Sequence, residues 1–171
     1  MIKRVFLSLL FALILSSCSG YQIGDIGHPQ IKKVSIGKIT NLSNEPRLSL
    51  FMMAKLKEAI LQDGTYELVN AGEGKAHAII QGTVPQFTYQ QRGFSRNDDD
   101  KDNYRVDNYR VTVSFDYEVV TPKKLLIQKF KLSGHGEFSE GLSIDQDRRE
   151  GLERACYNLS TKVITQLSEG W

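Results

Sequence analysis

The stretch Tyr109-Arg-Val-Thr-Val-Ser-Phe-Asp-Tyr-Glu-Val119 alternates without a break, with Tyr109, Val111, Val113, Phe115, Tyr117 and Val119 against Arg110, Thr112, Ser114, Asp116 and Glu118. Successive side chains of a strand point to opposite faces, so this pattern predicts a strand with one buried and one solvated face. Downstream, Thr121-Pro-Lys-Lys124 is turn chemistry leading into a further strand over residues 125–138, expected to pair antiparallel with the first. Upstream, the unit DNYRV occurs twice over residues 102–111. Five is odd, so the two copies present their Tyr and Val to opposite faces unless a bulge or strand boundary falls near Asp107-Asn108.

Before the repeat, QQRGFSRNDDDKDN at 90–103 is the most polar segment and predicts an exposed hairpin loop. Its run Asp98, Asp99, Asp100 lacks the spaced ligands, turn glycine and terminal glutamate of a calcium loop, so solvation is the expected role. Residues 76–89 predict a long strand whose Pro85 marks a bulge or an edge. Residues 66–70 predict a short strand, and 71–75 a turn. Residues 31–39 place Val34 and Ile36 on one strand face.

Two helices frame these strands. Leu48, Met52, Leu56 and Ile60 recur every fourth residue, with Ser43 or Asn44 as expected caps, Pro46 in the first turn and Asp63-Gly64 at the end. Leu50 and Leu61 lie off that stripe, so the helix is expected to be covered on two sides within its own fold, with a partner-binding face as the alternative. The last helix opens with Asp145 and Asp147, which suit the positive end of its dipole. Leu152, Cys156, Leu159, Val163 and Leu167 form its apolar stripe, with Ala155 beside it and Glu150 set to pair with Arg154. The order β-α-β-β-β-β-α predicts an α+β fold, with one mostly antiparallel or mixed sheet and two helices on one face.

The N-terminus reads differently. Lys3 and Arg4 precede an apolar run from Val5 to Leu15, too short to cross a hydrocarbon core of about 30 Å and typical of a secretory signal peptide. Leu15-Ser-Ser-Cys18 fits the bacterial lipobox, which predicts cleavage after residue 17 and lipidation of Cys18; a plain signal peptide is the alternative. Residues 18–30 then form the lipidated cysteine and a tether, and residues 31–171 one domain. Removing the leader leaves 20 basic against 20 acidic residues, without the basic excess of a nucleic-acid binder. Cys156, at the centre of its stripe, is expected to act as a small buried hydrophobe.

Catalytic signatures are missing. His28, His77 and His135 have no metal-ligand partner at short spacing, and there is neither a G-x-S-x-G elbow nor a phosphate-binding glycine loop. Binding or assembly is the expected class; no enzyme activity, metal or cofactor is expected.

The pattern resembles the LptE-type lipopolysaccharide-assembly lipoproteins. The residues that carry the likeness are the lipobox with Gly20-Tyr21, Val34-Ser-Ile, Asn41, Leu61-Gln-Asp-Gly64, Tyr66-Glu-Leu-Val69, Ala76-His-Ala-Ile-Ile-Gln-Gly82-Thr, Tyr109-Arg-Val-Thr-Val, and Ala155 and Leu159 in the last helix. His77 stands where many relatives carry an acidic residue. The resemblance implies an outer-membrane lipoprotein facing the periplasm, held by acylated Cys18, that partners or plugs an LptD-type β-barrel and assists lipopolysaccharide delivery. Arg92, Arg96, Arg105 and Arg110 form the best basic cluster for lipopolysaccharide phosphates, set against a solvated hairpin balanced by the neighbouring aspartates. The runner-up is a lipoprotein activator of a periplasmic peptidoglycan synthase. A 12-residue tether extends at most about 43 Å, short for a reach through the cell wall.

Overall fold

The computed structural model describes residues 28–97, 100–139 and 143–169, with the side chains of 93–107 outside the description. Among the described residues lie six strands, β1 (Lys33–Asn41), β2 (Glu67–Leu68), β3 (Ala78–Val84), β4 (Phe87–Asn97), β5 (Asp100–Val120) and β6 (Leu126–Ser139). Helix α1 (Leu48–Asp63) follows β1, and helix α2 (Ile144–Glu169) follows β6. The fold is α+β, and the expected order holds with one added strand.

That addition has two causes. Residues 76–89 do not form one strand: β3 pairs with β5 from Ile79↔Val120 to Thr83↔Asp116, whereas β4 restarts at Phe87↔Val113, one residue out of step. Pro85 sits in this break, where its missing N–H costs no ladder bond, so the expected bulge is present. Secondly, the polar segment 90–103 is mostly a ribbon, because β4 and β5 remain paired to Asn97↔Asp100. A two-stranded ladder satisfies its own backbone and needs no apolar alternation, which is why polarity suggested a loop. The register slips between Gln91 and Phe94, opposite the junction of the two DNYRV copies, where an irregularity was expected. The facing of the first copy's side chains lies outside the described residues.

Strand β5 organises the sheet. It pairs with β3 and β4 on one side and β6 on the other, all antiparallel, while β1 lies parallel between β2 and β3. Val111, Val113, Phe115, Tyr117 and Val119 are all buried as the alternation predicted. They meet both helices: Leu48, Met52, Leu56 and Ile60 from α1 and Leu152, Cys156, Leu159, Val163 and Leu167 from α2 complete the same core. In β1 a register shift between Ile36 and Ile39 lets Ile39 join that core despite its odd spacing from Val34.

Three details of α1 differ from expectation, the first being that Pro46 lies before the N-cap rather than in the first turn. Its N-cap is Arg47, with no side-chain cap bond; Asn41 instead receives Ser43 N–H and donates to Glu45 O at 2.7 Å, using Ser43 to shape the loop. The expected double coverage is also overturned, because Leu50 and Leu61 are 65% and 67% exposed. Eleven residues make about three turns, so both leucines project from the same outward face. The helix ends at Gly64, whose φ of 71° suits glycine and whose N–H reaches Ile60 O.

Helix α2 seats on β6 through glycine. A Cβ on Gly134 would lie 2.4 Å from Ala155 O, and one on Gly136 only 2.2 Å from Gly151 O. Backbone therefore packs directly on backbone. As expected, Asp145 and Asp147 occupy the first turn of α2, and Arg154 reaches Glu150 at 3.9 Å.

Candidate functional site

Both helices lie on one face of the sheet, so the candidate site is the face they leave open. Directly opposed residues share a face. Arg110, Thr112, Ser114, Asp116 and Glu118 of β5 stand opposite Glu137, His135, Ser133, Lys131 and Lys129 of β6, and Thr83 and Gln81 of β3 continue the rows. The result is a polar surface with charged groups across its width.

Its lower part is a groove of about 560 Å³ whose lining includes Lys38, Gln81, Asp116, Glu118, Lys129 and Lys131. Lys131 Nζ lies 2.9 Å from Asp116 Oδ2, and Gln81 Nε2 donates to Glu118 Oε1 at 2.7 Å. Lys38 and Lys129 form no ion pair among the described residues. Three cations face two carboxylates, so the groove has one spare positive charge and suits anionic or hydrogen-bonding groups.

At the upper end, Arg110 Nε donates to Glu137 Oε1 at 2.8 Å, and a second guanidinium nitrogen closes on the same oxygen. Arg110's hydrogen bond and charge hold the Glu137 carboxyl below its ordinary range, with smaller pulls from His135 and Arg92. Beside it, where the end of β6 meets the start of α2 and the open face turns toward the helix side, a recess of about 400 Å³ is lined by Arg92, Asn108, Glu137, Ser139, Asp147, Glu150 and Arg154 among others. The structure thus brings Arg92 and Arg110 together about one carboxylate. The side chains of Arg96 and Arg105, and Cys18 altogether, lie outside the described residues.

Three features were missed in the sequence, two of them without any signal to find them by. Glu45, only 5% exposed, receives Arg47 at 3.1 Å and Arg148 at 3.2 Å. Arg148 also bonds the Tyr89 hydroxyl, with its guanidinium carbon 5.0 Å from the ring centroid, tying the β1–α1 loop and β4 to the start of α2. Secondly, Arg154, Asn158 and Lys162 of α2 donate to the carbonyls of Glu137, His135 and Ser133, so side chains one helical turn apart cover the outer edge of β6. The third, the glycine seat beneath α2, was signalled by Gly134-His-Gly136 within a strand.

Cys156 is buried, and its thiol is pushed up to about 12 by burial first and Glu153 second. A neutral, covered thiol is packing. Among the described residues no three His, Cys, Asp or Glu side chains gather as metal ligands, and no helix is long and apolar enough to cross a membrane.

Comparison with known proteins places these surfaces in context. The family model described as LptE, lipopolysaccharide-assembly, matches residues 31–167. No curated protein sequence matches the chain. Among solved structures, the PelC dodecamer from Paraburkholderia phytofirmans is similar at a TM-score of 0.50 and 15% identity, covering 81% of this chain and 90% of that one. A minor lipoprotein from Acinetobacter baumannii is similar at a TM-score of 0.50 and 12% identity, covering 81% and 94%. At these identities the likeness concerns the fold alone.

Proposed function

Because the chain belongs to the LptE lipopolysaccharide-assembly family, we propose that it is anchored in the outer membrane through lipidated Cys18 and serves as partner and internal plug of an LptD-type β-barrel. The family is a non-enzymatic one acting in lipopolysaccharide assembly. The carrying observation is the match over 31–167, which takes in all six strands, α1 and all but the last two residues of α2. The open face supports the finer reading: a barrel lumen is polar and hydrated, and a sheet face of Thr, Ser, Lys, Asp and Glu can exchange hydrogen bonds with its wall. The β4–β5 ribbon adds a long, self-satisfied element that can extend along a lumen. In this reading Cys18 carries the acyl chains, residues 18–30 form the tether, and Arg92 and Arg110, with Arg96 and Arg105, contact lipopolysaccharide phosphates.

Site-specific photo-crosslinking in cells tests it. Probes at Thr112 and Ser133, on the open face, are expected to capture a large outer-membrane β-barrel, whereas a probe at Leu50 on the opposite side gives a weaker yield. Capture of a peptidoglycan synthase in place of a barrel would transfer the assignment to the activator reading. Labelling with a palmitate analogue reports the anchor separately, and Cys18→Ala is expected to abolish it.

A further inference from the structure

We propose that the β5–β6 turn is a membrane wedge: Leu125 and Leu126, flanked by Lys123 and Lys124, enter an anionic phospholipid leaflet at the end of the sheet where the N-terminal segment arrives. The inference goes beyond the barrel partnership but rests on the reading of Cys18 as the lipid anchor.

Register fixes the geometry. Val34 at the start of β1 pairs with Ala78, the next residue Ile79 pairs with Val120, and Val120 pairs with Leu126. The entry of the chain into the sheet and the turn therefore lie at one end, three strand spacings or about 15 Å apart. About ten chain steps from Cys18 to His28 span at most roughly 36 Å. An acyl anchor at Cys18 is thus tethered to this end of the sheet, while Leu42, beyond the last residue of β1, lies at the far end.

The turn itself is built for an apolar contact. Leu125 and Leu126 are 64% and 59% exposed, although both are large hydrophobes beside an available core. Thr121 holds the turn closed: its N–H donates to Leu125 O at 2.8 Å, its carbonyl accepts from Lys124 N–H at 2.8 Å, and its hydroxyl accepts from Leu125 N–H at 3.1 Å. The leucines are presented on a fixed loop, so little ordering accompanies insertion. Lys124 adopts a φ of 63°, a left-handed conformation usual for glycine or asparagine, and so stands there against a conformational cost. Lys123, Lys124 and Lys32 form no ion pair among the described residues. Exposed apolar side chains with two cations beside them in the turn, and Lys32 at the same end of the sheet, match an acyl boundary beneath anionic headgroups.

The test uses the full lipidated chain, carrying an environment-sensitive fluorophore at Leu126→Cys or at Leu42→Cys, in vesicles of phosphatidylethanolamine and phosphatidylglycerol. Spin-labelled acyl chains are expected to quench the probe at 126 several-fold more than the probe at 42. Lys124→Gly, which removes the charge while suiting the backbone, is expected to reduce quenching at 126 when phosphatidylglycerol is present and to have little effect in its absence. Protein that floats with the vesicles yet shows equal quenching at both positions would overturn the wedge. Protein that fails to float would overturn the Cys18 anchor, and the wedge with it. An unchanged melting temperature for each labelled variant shows that the readout concerns contact rather than folding.

Discussion

The two faces of the sheet are made from alternate residues of the same strands, yet they obey different rules. On the covered face, Val111, Val113, Phe115 and Val119 are fully buried and two glycines let helix backbone touch strand backbone. On the open face, Arg110, Thr112, Ser114, Asp116 and Glu118 are only partly covered and bond mainly to one another's neighbours across the ladder. The covered face specifies the fold through shape. The open face constrains the fold very little, which leaves its charges free to serve recognition.

The sharpest way to break this contrast is to add the same side chain to each face of β6. Gly136→Val directs a branched side chain at Gly151 O and Ala155 N, both of them backbone and unable to yield without moving the helix. We expect a loss of about 3 kcal/mol or more in urea unfolding. His135→Val, one residue earlier and exposed, is expected to change stability by no more than about 0.5 kcal/mol. Equal effects would mean that α2 is not seated on glycine.

A second prediction reads the covered face through its titration. Burial pushes the Cys156 thiol from 9.0 to about 12, and Tyr66 and Tyr117 from 10.0 to about 12. Above the unfolded values the denatured chain has released protons that the native chain still holds, so stability falls as pH rises. The decline is expected to begin near pH 9 and steepen above pH 10. Cys156→Ala should cost on the order of 1 kcal/mol at neutral pH and delay the onset to about pH 10. Native Cys156 should resist a maleimide that labels the unfolded chain readily.

The same contrast explains what the sequence could reveal. Face-specific alternation made β5 legible, and the four-residue spacing made both helix stripes legible, because burial imposes a period. Pro85 marked its own bulge for a local chemical reason. The β4–β5 ribbon was illegible because pairing between two solvated strands imposes no apolar period. Leu50 and Leu61 misled for the opposite cause: apolar residues on a helix imply coverage only when something is there to cover them. Of the candidate site, Arg92 and Arg110 were found as a basic cluster, but their convergence on Glu137 depended on a cross-strand register set 27 residues away. The Glu45–Arg148 contact, 103 residues apart, left no trace at all.

A smaller effect is expected at the boundary between the faces, the outer edge of β6. Replacing Arg154, Asn158 and Lys162 together by Ala uncovers the carbonyls of Glu137, His135 and Ser133, which water can satisfy. Stability should therefore drop by only about 1 kcal/mol. The exposed edge is then open to pairing with a second copy, and sedimentation at high concentration is expected to show more self-association than in the parent chain. An unchanged monomer fraction would mean that the edge is protected by its twist rather than by the helix.

The least effect on folding, and the most direct one on recognition, is expected from Arg92→Gln combined with Arg110→Gln. Glu137 is solvent-exposed, so its pair with Arg110 contributes little to stability. That small contribution is present above the ordinary carboxylate value and is lost as pH falls through the depressed native one. In the double variant the Glu137 carboxyl, followed by NMR, should titrate higher than in the parent chain, most of the way back toward its ordinary range. Thermal stability at neutral pH should barely move. Binding to lipopolysaccharide is expected to weaken several-fold at low salt and to converge with the parent at high salt, where screening over about 10 Å or less already masks such contacts. If the Glu137 titration moves up in this way while binding is unchanged at every salt concentration, the phosphate contact does not lie at this end. The spare charge among Lys38, Lys129 and Lys131 then becomes the place on the same open face to reverse next.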